Sequence, residues 1–229
     1  VVPGKRKSPA GVATSDLVLS CHRGSNDEVF PSVLQLYVAK GSLIADVTFG
    51  KGVFWKRVPP QDYRLLASDL QTGIDARALP YAGNFLDAVV FDPPYMHSSG
   101  STARASQGAY ESYYRNNQQG RRSDGHLEVL ALYFEAAREA WRVLRADGIY
   151  IVKTQDEVCA GRQRLTHVEI INELEQRGWI CEDLLVLLQA RRPGVSRMLR
   201  QLHFRKAHSY FLVFRKLGKK IWSGPPEVP

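Results

Sequence analysis

Apolar positions recur along this chain in two rhythms. One is the short continuous run, seen in "SLIADVTFGKG", "YRLLASDL", "FLDAVVFD", "GIYIVKTQ", "WICEDLLVLLQ" and "SYFLVFRK", each read as a strand. "FLDAVVFD" has no polar face, the signature of a central strand covered on both sides. The other rhythm is helical. "FPSVLQLYVAKG" groups Val33, Leu34, Leu36, Tyr37 and Val38 and is closed by Gly41. "HLEVLALYFEAAREAWRVLRADG" repeats Leu127, Leu130, Phe134, Ala137, Trp141 and Leu144 at helical spacing, with Trp141 read as core. "THVEIINELEQRG" begins at Thr166 as N-cap with Glu169 three residues on, a capping-box pattern, and Gly178 lies past its end. Strands alternating with helices predict an α/β fold, a doubly wound and mostly parallel sheet of the Rossmann-like type. The last two strands have no obvious helix between them, which predicts an antiparallel edge strand.

Two stretches break the rhythm. Residues 96–126 are rich in Ser, Gly, Gln, Asn and Arg but contain Tyr110, Tyr113 and Tyr114, and residues 189–207 are strongly basic. Both are expected to be long loops at the carboxyl ends of strands, the side on which open α/β sheets bind ligands. Residues 1–15 read as a loose arm, 16–217 as one domain, and 218–229 as a tail. With 229 residues, one core suffices. The absence of a bilayer-length apolar run makes a cytoplasmic protein the expectation. Cys21, Cys159 and Cys181 are widely spaced and lack zinc-ligand patterning, so they read as reduced thiols and no metal is assigned.

Charge sharpens this picture. The net charge is +8, yet ten basic residues and no acidic one fall between Gln189 and Lys220. The other 197 residues carry 21 basic and 23 acidic side chains. The whole positive excess therefore sits in one segment, as phosphate-backbone binding requires. Arg191, Arg192, Arg197 and Arg200 are the phosphate candidates. Tyr113 and Tyr114 either stack on bases or anchor their loop. The histidines at 97, 126, 167, 203 and 208 read as structural or surface groups.

The candidate chemistry lies at three strand ends. "DVTFGKG" carries Asp46 into a turn with Gly50 and Gly52, where backbone can approach a ligand, although the spacing alone also fits a simple tight turn. Asp69 closes the next strand, where a carboxylate can accept hydrogen bonds from ribose hydroxyls, and Asp75 follows shortly after. Three acids at strand ends suit an uncharged or cationic nucleoside better than a pyrophosphate. "FDPPY" then ends the central strand in Asp92, Pro93, Pro94 and Tyr95. A residue before proline is held extended, and prolines cannot donate to a ladder, so the chain must stop and turn rigidly there. Such a turn presents the Asp92 carboxylate and the Pro93 carbonyl as fixed acceptors for the two N–H bonds of a planar amine, with the Tyr95 ring beside it. Lys153 and Gln155 either touch the donor or nucleic acid or form a surface ion pair.

Asp46 to Gly52 followed by Asp92-Pro93-Pro94-Tyr95 resembles the S-adenosylmethionine-dependent amino-methyltransferases acting on DNA, over roughly residues 28–216. The resemblance implies seven strands with the last antiparallel, and a target base flipped out of double-stranded DNA. It implies that Asp46, Thr48, Phe49, Gly50 and Gly52 border the donor's methionine moiety. Asp69 would take the ribose and Asp75 would lie near the adenine, while Asp92, Pro93, Pro94 and Tyr95 hold the acceptor. Asp at the first motif position favours N6 of adenine over N4 of cytosine; an RNA amine and a catalytically silent binding module are the rival readings. Val47 and Thr48 stand where Pro-Phe is common in that family. No block large enough for a separate recognition domain is evident, so a short or relaxed target sequence is expected, and no protein partner is inferred.

Overall fold

The computed structural model of the chain describes residues 17–95, 125–190 and 201–218. Strand β1 (Cys21–Gly24) leads into helix α1 (Asn26–Tyr37), then β2 (Leu43–Asp46), β3 (Arg64–Ala67) and β4 (Leu86–Phe91). Helix α2 (Gly125–Val143) precedes β5 (Leu144–Thr154), the hairpin β6 (Glu157–Cys159) and β7 (Arg162–Arg164), helix α3 (Thr166–Gln176), β8 (Trp179–Gln189) and β9 (His208–Lys216). Short 3-10 turns cover Val53–Arg57 and Leu70–Thr72.

Seven strands form one sheet in the order β1-β8-β9-β5-β4-β2-β3. Strand β9 is antiparallel to both β5 and β8, and every other pairing in this sheet is parallel. This is the doubly wound, mostly parallel sheet expected from the sequence, with its antiparallel strand in the half towards the β1 edge. After β2 the chain moves outward to β3, then returns across β2 to β4 and continues to β5 on the other side. The reversal opens a crevice between the carboxyl ends of β2 and β4.

The alternation along β4 explains the layering. Val89 and Phe91 face a core built with α2 and α3 through Leu130, Tyr133, Ala137, Ile170 and Leu174. Ala88 and Val90 face the opposite core, where α1 contributes Val29, Phe30, Val33 and Leu34 and the Val53–Arg57 turn contributes Phe54. Phe30 is fully buried and meets Phe54 at 5.0 Å and Trp55 at 5.2 Å between ring centroids. That aromatic cluster seats the glycine turn's following segment on the sheet, so packing far from the crevice positions its rim. Trp141 is buried against Trp179, edge to face at 5.0 Å.

Several local readings are corrected. The capping expectation at Thr166 fails because Leu165 holds the N-cap position and Glu169 turns towards His126 instead. The reciprocal bond occurs at α1, where Glu28 accepts from the Ser25 amide at 2.8 Å. Helix α2 ends at Val143, before the apolar periodicity stops, because Leu144 already pairs with Leu86. Neither β1 nor the β6–β7 hairpin was expected. Strand β1 has only four residues and acquires its conformation from parallel pairing to β8. The hairpin turns at Ala160 and Gly161, both with positive φ as a tight two-residue loop requires. The sheet thus reaches seven strands with β1 at the far edge and nothing between β3 and β4 but the Leu70–Thr72 turn and loop.

No helix among the described residues is long and apolar enough to cross a membrane. Truncating Phe30 to alanine removes the ring shared by Phe54, Trp55 and Phe211. We expect a loss of about 3–5 kcal/mol in urea unfolding, against little change for Leu36→Ala at a position 55% exposed on the same helix.

Candidate active site

The end of β2 builds the crevice floor. Asp46 is 3% exposed, and its carboxylate accepts from the Thr48 amide at 3.0 Å and from Trp55 Nε1 at 2.7 Å. It folds the segment after the strand back on itself. Gly50 and Gly52 both adopt left-handed backbone, with φ of 50° and 63°. At Gly52 a β-carbon would also meet the Phe49 ring at 2.7 Å, so the ring itself demands glycine there. The Gly50 amide donates to Asp69 Oδ2 at 3.0 Å, tying the turn to the end of β3. The other Asp69 oxygen accepts from the Thr72 amide at 3.0 Å and starts the turn that forms the next wall.

The end of β4 closes the other side. The Asp92 amide donates to Thr48 Oγ1 at 2.6 Å, so the two strand ends are bonded directly across the crevice. Tyr95 hydroxyl donates to Asp92 Oδ1 at 2.7 Å. The double proline makes this possible: it forces the chain out of the ladder and back, so that a residue three positions on returns to the carboxylate. A cavity of about 160 Å³ lies between these pieces, lined by Thr48, Gly50, Asp69, Leu70, Gln71, Asp92 and Pro94.

Most of the sequence-predicted residues meet here, in different capacities. Thr48, Gly50, Asp69, Asp92 and Pro94 line the cavity, and Tyr95 lies against Asp92. Asp46 sits below it and holds the turn, while Phe49 and Gly52 pack on each other. Pro93 is buried. Asp75 does not join the group: its carboxylate forms a two-oxygen bridge to Arg77, the shortest contact being 2.7 Å, and Leu70 and Gln71 take the wall assigned to it. Arg191, Arg192, Arg197, Arg200, Tyr113 and Tyr114 lie outside the described residues. Within the basic segment, two cations serve the fold: Arg215 pairs with Glu182, and buried Lys216 bonds the Leu144 carbonyl and Asn84 Oδ1.

Trp55, which anchors Asp46, escaped the sequence reading. Thr48, expected beside the donor, also bridges to the Asp92 amide, and Lys153, read as touching donor or nucleic acid or as a surface ion pair, is 1% exposed. Only the polarity of Lys153 within an apolar run could have signalled the last. His126 is likewise fully buried, clamped between Glu157 at 2.8 Å and Glu169 at 3.0 Å. Burial would lower its pKa, but the two carboxylates outweigh that and hold it above the ordinary value.

Electrostatics set the site apart. Burial pushes the Asp46 carboxyl up to about 7, against the opposing hydrogen bonds from Trp55 and Thr48 and with a further upward push from Asp92. Burial likewise pushes Asp92 up to about 6, while the Tyr95 hydrogen bond and the Lys153 charge pull it down. The crevice therefore concentrates poorly solvated negative charge at the switch between the two sheet halves.

Fold and crevice together define the class: a doubly wound, Rossmann-like α/β domain with a carboxylate-lined cavity at its topological switch. Among solved structures, the chain is similar to TrmN from Thermus thermophilus (17% identity, TM-score 0.49, 83% of this chain and 49% of that one). It is also similar to a candidate DNA modification methylase, again from Thermus thermophilus (19%, 0.41, 67% and 56%). A third is the 1,6-didemethyltoxoflavin-N1-methyltransferase of Burkholderia thailandensis with its substrate and S-adenosylhomocysteine bound (14%, 0.47, 84% and 79%). The chain thus spans about half the length of the first two. No protein-family model matches the chain, and no curated protein matches it in sequence.

The two raised carboxyls make a stability prediction. Their protonated forms favour the fold, so this contribution is complete below the ordinary carboxyl value of 3.8 and is lost as pH rises through about 6 to 7. His126, raised above 6.5, acts in the same direction. The carboxylates held low by partners, such as Asp156 and Glu139, weaken the fold only as pH falls through their own lowered values. Chemical denaturation should therefore show falling stability between about pH 5 and pH 8. Asp92→Asn should be the more stable protein at the upper end, by on the order of 2 kcal/mol.

Proposed function

We propose that this chain is an S-adenosylmethionine-dependent methyltransferase acting on an exocyclic amine of a nucleobase, N6 of adenine in double-stranded DNA. The observation that carries the reading is the Asp92-Pro93-Pro94-Tyr95 turn, bonded through Thr48 to the glycine turn and standing on the rim of the same cavity. Fold alone supports many chemistries, so the weight rests on this site.

The residues fit the donor. Left-handed Gly50 leaves open space where a β-carbon would project, and Asp69 on the cavity wall can accept from ribose hydroxyls beside its bond to Gly50. Thr48, Gly50 and Asp69 would hold it, Leu70 and Gln71 would flank it, and the buried negative charge of Asp46 and Asp92 would complement its sulfonium. When bound, the donor supplies an electrophilic methyl group whose sulfur accepts the electron pair as the S–C bond breaks.

The chain's own part is to prepare the amine. Tyr95 occupies Asp92 Oδ1 and leaves Oδ2 to accept one N–H of the target. The Pro93 carbonyl takes the other, and the Tyr95 ring, its hydroxyl still on Asp92, flanks the base. With both N–H bonds directed at acceptors, the nitrogen lone pair is turned from the ring system and towards the methyl carbon. The new N–C bond forms from that pair, and the amine then sheds one proton. No covalent enzyme intermediate is required. The base reaches this pocket only out of the stack, and the basic residues between Gln189 and Lys220 supply phosphate contacts.

Asp92→Ala should still bind S-adenosylmethionine by calorimetry, weakened by no more than about tenfold through loss of one of two nearby carboxylates, while tritium transfer falls by at least about 100-fold, the scale of removing a reacting-centre acceptor. Normal turnover in this variant would refute the assigned role. Digesting the product to nucleosides should return N6-methyladenosine of the deoxy series from duplex DNA; label found in RNA or in N4-methylcytosine would reassign the substrate. Replacing Arg191 and Arg192 together should weaken binding to all duplex sequences alike and reduce the salt slope by about two.

A further inference from the structure

The proposed chemistry leaves one buried cation unused. Lys153 lies at the carboxyl end of β5, immediately beside β4, and is 1% exposed. The register pairs Phe91 with Val152, so Asp92 and Lys153 are the next residues along and project to the same face of the sheet. A lysine is almost never buried to this degree without a compensating anion. Its Nζ bonds Ser209 Oγ and lies 4.4 Å from the centroid of the Phe211 ring, both from β9 on that face. These neutral contacts orient the ammonium without neutralising it.

The surrounding groups identify what does. Asp92 faces Asp46 from β2, Tyr95 from its own turn and Lys153 from β5, and Tyr133 of α2 adds its hydroxyl dipole near Tyr95. Asp92 raises the cost of ionising Asp46, and Lys153 lowers that of ionising Asp92. Burial brings Lys153 down to about 8 even though Asp92 favours its charged form. Three strand ends thus carry a row of charges, minus, minus and plus, with the acceptor carboxylate in the middle.

We propose that Lys153 is a positioning residue for the transfer reaction, a buried counter-charge, aimed by Ser209 and Phe211, that keeps Asp92 ionised when a target amine and Tyr95 enclose it. The inference rests on the methyl-transfer reading for its catalytic consequence, whereas the electrostatic coupling itself can be read without any substrate. A carboxylate that took up a proton would offer one acceptor fewer and would cease to draw the amine hydrogen aside. The antiparallel strand β9 acquires a role by this account: it contributes no cavity wall but fixes the ammonium.

The test has two reciprocal arms and one functional one. In full-length protein carrying carboxyl-carbon-labelled aspartate, the Asp92 resonance, assigned by its loss in Asp92→Asn, should titrate at least about one pH unit higher in Lys153→Met than in wild type. In the opposite arm, Lys153 Nζ followed by nitrogen NMR should titrate lower in Asp92→Asn by the same amount, since linkage between two sites is mutual. This second arm needs only Asp92→Asn to fold and so decides the matter even if the methionine variant does not. Functionally, the acid limb of kcat in Lys153→Met should move to higher pH by the same interval, so that activity falls about tenfold near pH 5, about twofold near pH 7, and recovers above pH 8. Superimposable Asp92 titrations, or a Lys153 titration indifferent to Asp92→Asn, would overturn the proposal. A wild-type protein that shows the coupling but transfers no methyl group to any nucleic acid would overturn the catalytic reading and leave the charge pairing established.

Discussion

One hydroxyl holds the two halves of this sheet in working relation. Thr48 Oγ1 accepts the Asp92 amide hydrogen, and the Thr48 backbone is itself held by the Asp46 carboxylate. Beyond the last paired residues of β2 and β4 no ladder bond could do this, since the following prolines have no amide hydrogen to give. The Val47 amide, bonded to the Val90 carbonyl at 3.1 Å, is the backbone tie just before the Thr48 link. Each element of the crevice answers to this link: Trp55 braces Asp46 from below, Gly50 ties the turn to Asp69, and the Tyr95 hydroxyl returns to Asp92. A valine at position 48 would keep the shape and lose the tie, which is why a polar β-branched side chain suits this position.

What the sequence disclosed and what it concealed divide along the range of the interactions. The double proline, the two glycines and the unbroken apolar run of β4 act within a few residues, and their positions could be read directly. Asp69 was legible because strand and turn are contiguous. Asp75 was less legible because its contacts depend on Arg77 two residues on, whose guanidinium takes both oxygens. The capping box expected at Thr166 was lost to a partner 43 residues away in sequence, His126. Strand β1 has no apolar signature of its own and exists through pairing with β8. Lys216, counted with the basic segment, is turned inward to the Leu144 carbonyl by the register of β9. Apart from Asp75, non-local pairing decided each of these, and no window of sequence contains it.

The electrostatic arrangement also separates the ligands this crevice can favour from those it opposes. Helix N-termini and glycine-rich turns commonly attract phosphates, yet here Asp69 accepts the Gly50 amide that would face an anion, and Asp46 takes the amide of Thr48. The donors are spent on carboxylates, and the charge left at the rim is negative. A cationic ligand regains what burial of Asp46 and Asp92 costs, because a fixed positive sulfur beside them would lower both pKa values and release protons on binding. On the proposed reading, the instability stored in the two acids is the complement of the cationic donor. Lys153 limits that instability from the acceptor side, where an uncharged amine brings no compensation. On that reading the site takes a cation in one half and a neutral base in the other, and the order of strands, with β5 and β9 beyond β4 and β3 beyond β2, places the counter-charge on the side of the base.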